Sequence, residues 1–174
     1  IENMIAQKES GYIKSSPVIN YSLDELKEKY NLTDIKTLKA DELTGSLNIS
    51  NNTGVITAVG DNSSYINRLT INDNDSNKRC LVRFINCRFS GDFGVENLNP
   101  YIDLDFENCK FENSSTAIKN NSTSSVTVQQ CAFMKVNCPI STADRTERNY
   151  MYAGNYIIRN TYFENIKSLI YNSD

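Results

Sequence analysis

Apolar and polar residues alternate in four short stretches of the chain: VRFINCRF at 82–89, LDFENCKF at 104–111, VTVQQCAF at 126–133 and YIIRNTYF at 156–163. Val82 and Phe84 fall on one side of an extended chain, as do Leu104 and Phe106, which is the period of a half-buried strand. The alternation then slips by one, and Cys87 and Phe89 return to the apolar side after two intervening residues. The slip carries Asn86, Asn108 or Asn160, with Gln130 in the third stretch. Asn tolerates the left-handed backbone region, so each stretch reads as strand, corner, strand. Phe89, Phe111, Phe133 and Phe163 lie 22, 22 and 30 residues apart, and Cys87, Cys109, Cys131 and Thr161 keep the same spacing.

A weaker strand follows each stretch. TAIKN at 116–120, CPIST at 138–142 and SLIYN at 168–172 each place an Ile at the same offset from the preceding strand. Upstream, LNISNN at 47–52 and LTINDN at 69–74 are also 22 residues apart. A fixed period of this length signals stacked coils. With coils about 4.8 Å apart, Phe stacks on Phe, Cys on Cys and Asn on Asn, and neighbouring amides bond along the stack. The expected fold is all-β: a right-handed parallel β-helix with coils of about 22 residues over 46–174. Residues 1–45 are set apart as an N-terminal segment. Within it, Ser22-Leu23-Asp24-Glu25 is a capping-box pattern that predicts a short helix at 23–30, expected to cover the open apolar end of the first coil. The other end shows no such cap, and the chain opens on Ile, so it reads as a piece of a longer polypeptide.

Composition narrows the chemistry. The chain has 174 residues, 39% of them apolar, and a net charge of −3 without a basic block. That balance speaks against nucleic acid as a partner. No apolar run approaches the length of a membrane span, and Ile1 to Ser10 lack the pattern of a signal peptide. There is no His, which removes Ser-His-Asp and Cys-His catalysis and the commonest metal ligand. There is no Trp, so Tyr must supply any stacking on a sugar. The five Cys are odd in number and contain no CxxC pair, which speaks against structural zinc and for buried reduced thiols formed in a cytosol. Several Asn, among them Asn31, Asn48, Asn62 and Asn113, fit the glycosylation sequon, as expected by chance in an Asn-rich chain.

These repeats resemble the pectate-lyase-like β-helix superfamily, which includes polysaccharide lyases and hydrolases, bacterial surface proteins, and phage tailspike and appendage proteins. The resemblance rests on coil length, the Asn corner and the stacked Phe and Cys. Those belong to the scaffold, and a fold does not fix a function. A reduced, Trp-free β-helix behind a short helix is most similar to the phage host-contact proteins. The resemblance then implies a homotrimer on the virion that contacts a cell-surface polysaccharide or another host receptor, with no cofactor and no membrane insertion.

Two places carry candidate chemistry. The interval of 30 residues holds an insertion of about eight, near 141–155, which gathers Asp144, Arg145, Glu147, Arg148, Tyr150 and Tyr152. Arg and Tyr hydrogen-bond sugar hydroxyls and offer flat surfaces for stacking, so residues 144–153 are expected to bulge as a ligand-binding loop. The bland alternative is a solvated loop whose charges pair with one another. The second place is the strand YIDLDFEN, where Asp103, Asp105 and Glu107 face outward, with Asp103 and Asp105 nearly 7 Å apart. That spacing suits an inverting glycosidase. Arg83, one period earlier, supplies a plain ion pair for Asp105 instead. The run INDNDSN at 71–77 lacks the Gly and terminal Glu of a calcium loop and reads as a turn, so no metal site is expected. The leading function is a structural and glycan-binding segment of a phage tail spike, fibre or appendage. The alternatives are a polysaccharide-degrading enzyme, or a bacterial adhesin, extracellular or on the cell surface.

Overall fold

The computed structural model describes residues 13, 15–31, 36–39, 42–43, 45–48, 54–61, 65–72, 79–121, 123–143 and 154–172. Among the described residues one helix, α1 (Leu23–Tyr30), precedes a succession of strands: β1 (Lys36–Lys39), β2 (Ser46–Asn48), β3 (Gly54–Val59), β4 (Tyr65–Ile66), β5 (Leu69–Asn72), β6 (Cys80–Ile85), β7 (Arg88–Ser90), β8 (Val95–Asn97), β9 (Ile102–Glu107), β10 (Lys110–Asn121), β11 (Val126–Gln129), β12 (Ala132–Ala143), β13 (Tyr156–Arg159), β14 (Tyr162–Glu164) and β15 (Ile170–Asn172). Every pairing among them is parallel. Sheet A runs β1-β3-β6-β9-β11-β13, and sheet B runs β14-β12-β10-β8-β5-β2, with β15 beside β12, and β7 between β4 and β10. The result is a parallel β-solenoid whose two sheets enclose one apolar core.

The core is built in columns. Phe89, Phe111, Phe133 and Phe163 stack face to face, with ring centroids 4.9, 4.6 and 5.4 Å apart. Phe84 and Phe106 form a second stack at 5.1 Å and meet the first edge-on. Cys87, Cys109 and Cys131 lie buried beside them, and all five cysteines are thiols. Burial pushes the Cys109 and Cys131 thiols well above their ordinary pKa, so they act as small apolar fillers.

The corner forms as the Asn pattern requires. Asn86, Asn108, Gln130 and Asn160 have φ of 57°, 53°, 53° and 44°. Asn86 Nδ2 donates to Gly60 O at 3.0 Å, Asn108 Nδ2 to Asn86 Oδ1 at 2.9 Å, and Gln130 Nε2 to Asn108 Oδ1 at 3.2 Å. Gly60 is needed at the start of this ladder, because a Cβ there would run into the Asn86 carbonyl. Two features were not anticipated. Two residues after each stacked Phe, a second left-handed column passes through Gly91, Asn113, Lys135 and Asn165. A second amide ladder is buried on sheet B, where Asn97 Nδ2 donates to Asn120 Oδ1 at 3.0 Å and Asn120 Nδ2 to Ser124 O at 2.8 Å.

Two expectations are corrected. Upstream, Leu47 pairs with Ile71 rather than with Leu69, and Leu69 pairs with Val95. A slip of two keeps every side chain on its own face, so the apolar pattern alone leaves that register open. The intervals there are also uneven: Gly54 pairs with Cys80 and Lys36 with Ile56. The strand β1, within the stretch 1–45, already belongs to sheet A.

The second correction concerns α1. It forms over the residues expected, with Ser22 Oγ accepting from Glu25 N and the Glu25 carboxylate accepting from Ser22 N at 2.7 Å. It lies on the flank of the solenoid and not over its end. Its buried residue, Leu26, packs on Val59 and Ile85, which face outward from sheet A. Those two apolar residues interrupt an otherwise polar outer row that continues as Glu107, Gln129 and Arg159. They need a cover where the later coils do not. Burying Leu26 stabilises this docking by about 1.5–3 kcal/mol.

Candidate functional site

The outer face of sheet A places the acidic strand among its neighbours. Asp103 stands beside Leu81, Asp105 beside Arg83, and Glu107 beside Ile85 in the preceding strand. The alternation of β9 buries Ile102, Leu104 and Phe106 and leaves Asp103, Asp105 and Glu107 half-buried on the outside, as the sequence pattern implied. Each carboxylate is already engaged. Asp103 accepts two hydrogen bonds from Arg79, at 2.7 and 3.3 Å, and one from Ser125 N at 2.8 Å. Arg83 reaches Glu107 at 2.7 Å and Asp105 at 3.4 Å. The guanidinium therefore serves two carboxylates one strand away, and it also lies 5.6 Å from the Tyr30 ring of α1. The pairing of Arg83 with Asp105 follows from the period, whereas Arg79 as the partner of Asp103 does not, because it lies just outside the repeat strand.

Burial raises the Asp105 pKa, Arg83 opposes the rise and Glu107 adds to it. Burial, with Glu107 beside it, also lifts the Tyr30 phenol well above its ordinary range. An inverting pair needs one carboxylate free to activate water opposite a protonated acid. Asp103 is locked by a bidentate Arg and a backbone N–H, so the pair is built as a surface ion network. Asp105→Asn is expected to leave the fold intact and to change stability by no more than about 1 kcal/mol, the scale of a partly exposed ion pair. The sign with pH follows from the raised pKa. The favourable contribution of Asp105 is complete below its ordinary pKa and fades as pH rises through the raised value. The neutral Asn lacks that loss, so urea midpoints of the two proteins should diverge in its favour with rising pH. A loss of several kcal/mol in the variant would show that the carboxylate is a structural requirement.

The insertion follows Ala143, the last residue of β12 in sheet B. Asp144, Arg145, Glu147, Arg148, Tyr150 and Tyr152 lie outside the described residues. Its flanks are described and hold register on both sides: Asn121 pairs with Ala143, and Val126 with Tyr156. One coil earlier β10 and β11 are joined by 122–125, so the extra residues lie in the connection from β12 of sheet B to β13 of sheet A. Where the chain returns, Val126 N donates to Asn155 O at 2.9 Å and Asn155 N to Ser125 Oγ at 3.0 Å. Gly154 packs so tightly on Ser124 that a Cβ would collide with its carbonyl. The turn at 98–101, in line with these, exposes Leu98 and Tyr101. No group of three or more His, Cys, Asp or Glu among the described residues is placed to hold a metal ion, and no described helix is long and apolar enough to cross a membrane. No protein-family model, curated protein or solved structure matches the chain.

Proposed function

We propose that the chain is a stretch of right-handed parallel β-helix with coils of about 22 residues, and that it serves as a rigid glycan-binding segment of a phage tail spike, fibre or appendage. In this reading the segment is trimeric, sits on the virion and grips a polysaccharide of the host surface with residues 144–153. One observation carries the choice of site: the register is intact on both sides of the insertion. The extra residues are therefore not needed to build the coil, and a loop that the scaffold does not need is free to carry recognition. The carboxylates of β9 favour binding over cleavage, because each is committed to an arginine. The phage assignment draws on the resemblance of the scaffold and on the thiol state of its cysteines.

The test is binding to a printed array of bacterial surface oligosaccharides. Arg145→Ala or Tyr150→Ala should weaken binding by about 1–3 kcal/mol, the range for a hydrogen bond to a charged group, while thermal stability stays as in the parent protein. Unchanged binding in both variants would remove the loop from the site.

A further inference from the structure

We propose that α1 is a displaceable cover, and that the polar seam beneath it, formed by Thr57, Arg83, Asp105 and Glu107 on the outer face of sheet A, is a second contact site for glycan hydroxyls. This inference rests on the glycan-binding reading above and adds a site remote from the insertion.

Three observations meet at this seam. First, polar atoms out of reach of water are left without a hydrogen bond there: Thr57 Oγ1 and Arg83 Nε. Thr57 is fully buried. It stands beside Arg83 in the register of β3 and β6, and Tyr30 lies over Arg83. The Nε of Arg83 is approached by Asp105 at 3.4 Å without an aligned hydrogen bond. A covering element that belonged there permanently would satisfy these groups, since buried polar atoms are almost always paired.

Second, the cover is held lightly. The helix fully buries one side chain, Leu26, packs Tyr30 only partly against the same cluster, as Tyr21 before it does, and leaves Leu23 exposed. The described residues before it, 13 and 15–22, join no sheet. They are held at Ile19, whose N–H donates to Asn108 Oδ1 at 2.8 Å and whose carbonyl accepts from Asn108 Nδ2 at 2.7 Å, and at Asn20, which accepts from Arg88 at 3.1 Å. Elements with few buried contacts open first.

Third, the chemistry of the seam fits hydroxyls. Thr57 and Tyr30 both donate and accept, Arg83 donates, and Asp105 and Glu107 accept. A phosphate would meet two carboxylates, and a metal ion would meet a guanidinium, so neither suits the set. With α1 lifted, these groups join Thr127 and Gln129 of the next strand on a continuous polar face.

The experiment measures amide exchange of α1 and binding to the oligosaccharide array in the full chain. Leu26→Ala removes the anchor of the cover, and should speed α1 exchange and tighten binding by roughly fivefold. Thr57→Val keeps the shape but removes the unpaired hydroxyl, so it should slow α1 exchange and weaken binding by roughly fivefold. The cover would be disproved by Thr57→Val speeding α1 exchange, because the hydroxyl would then hold α1 down through a buried water. It would also be disproved by both variants binding as the parent does while Arg145→Ala loses binding. In that last case the loop reading stands alone. Absence of binding in the parent protein defeats both readings.

Discussion

Phe111→Ala should cost about 3–5 kcal/mol of stability, the range for a large aromatic removed from a closed core. Phe111 is almost wholly buried and stacks between Phe89 at 4.9 Å and Phe133 at 4.6 Å, with Phe106 against its edge. The rings above and below are fixed by strand pairing, since Phe89, Phe111 and Phe133 are direct register partners. They cannot move together to close the gap without shifting β7, β10 and β12. The cavity term therefore adds in full to the lost transfer energy. The midpoint of urea unfolding measures it. A change below about 1 kcal/mol would mean that the stack is not continuous at this coil.

Asn108→Ala should be nearly as costly, at about 3–4 kcal/mol, although it removes no apolar group. The Asn108 amide makes four hydrogen bonds, to Asn86, to Gln130 and to both backbone groups of Ile19. Its loss leaves Asn86 Oδ1 buried without this donor. It also places a Cβ residue with no compensating side-chain bond at φ 53°, which costs about 1–2 kcal/mol. The two contributions separate experimentally: Asn108→Gly removes the ladder and relaxes the backbone, so it should be milder than Asn108→Ala by about 1 kcal/mol. If the two variants unfold at the same midpoint, the left-handed corner contributes nothing to the choice of Asn.

Much of the scaffold was legible because a parallel stack repeats one decision. Phe, Cys and Asn at equal spacing identify inner columns and a corner, and the structure pairs them as the spacing implies. The second left-handed column was less visible. Gly91, Asn113 and Asn165 announce it two residues after each Phe, but Lys135, a residue with no preference for that conformation, masks it in the coil between. Asn97 ends β8 and Asn120 is the last residue but one of β10, positions where Asn reads as a turn residue, and only the stacking of adjacent coils shows the two amides bonded to one another. The start of α1 is written in its own residues, but the surface it covers is not. The clue lay elsewhere, in Val59 and Ile85, apolar residues at outward positions of β3 and β6. At the candidate site, Arg83 beside Asp105 followed from the period alone. The double duty of Arg83 toward Glu107 and the hold of Arg79 on Asp103 depend on side-chain reach, which spacing does not encode.

The most direct test of the functional account replaces residues 144–153 with a short turn of the length found at 122–125 and measures oligosaccharide binding and thermal unfolding on the same protein. The account predicts an unfolding temperature close to that of the parent and no detectable binding, because Asn121–Ala143 and Val126–Tyr156 hold the coil together without the insertion. A protein that unfolds on replacement, or one that still binds with parental affinity, would contradict it.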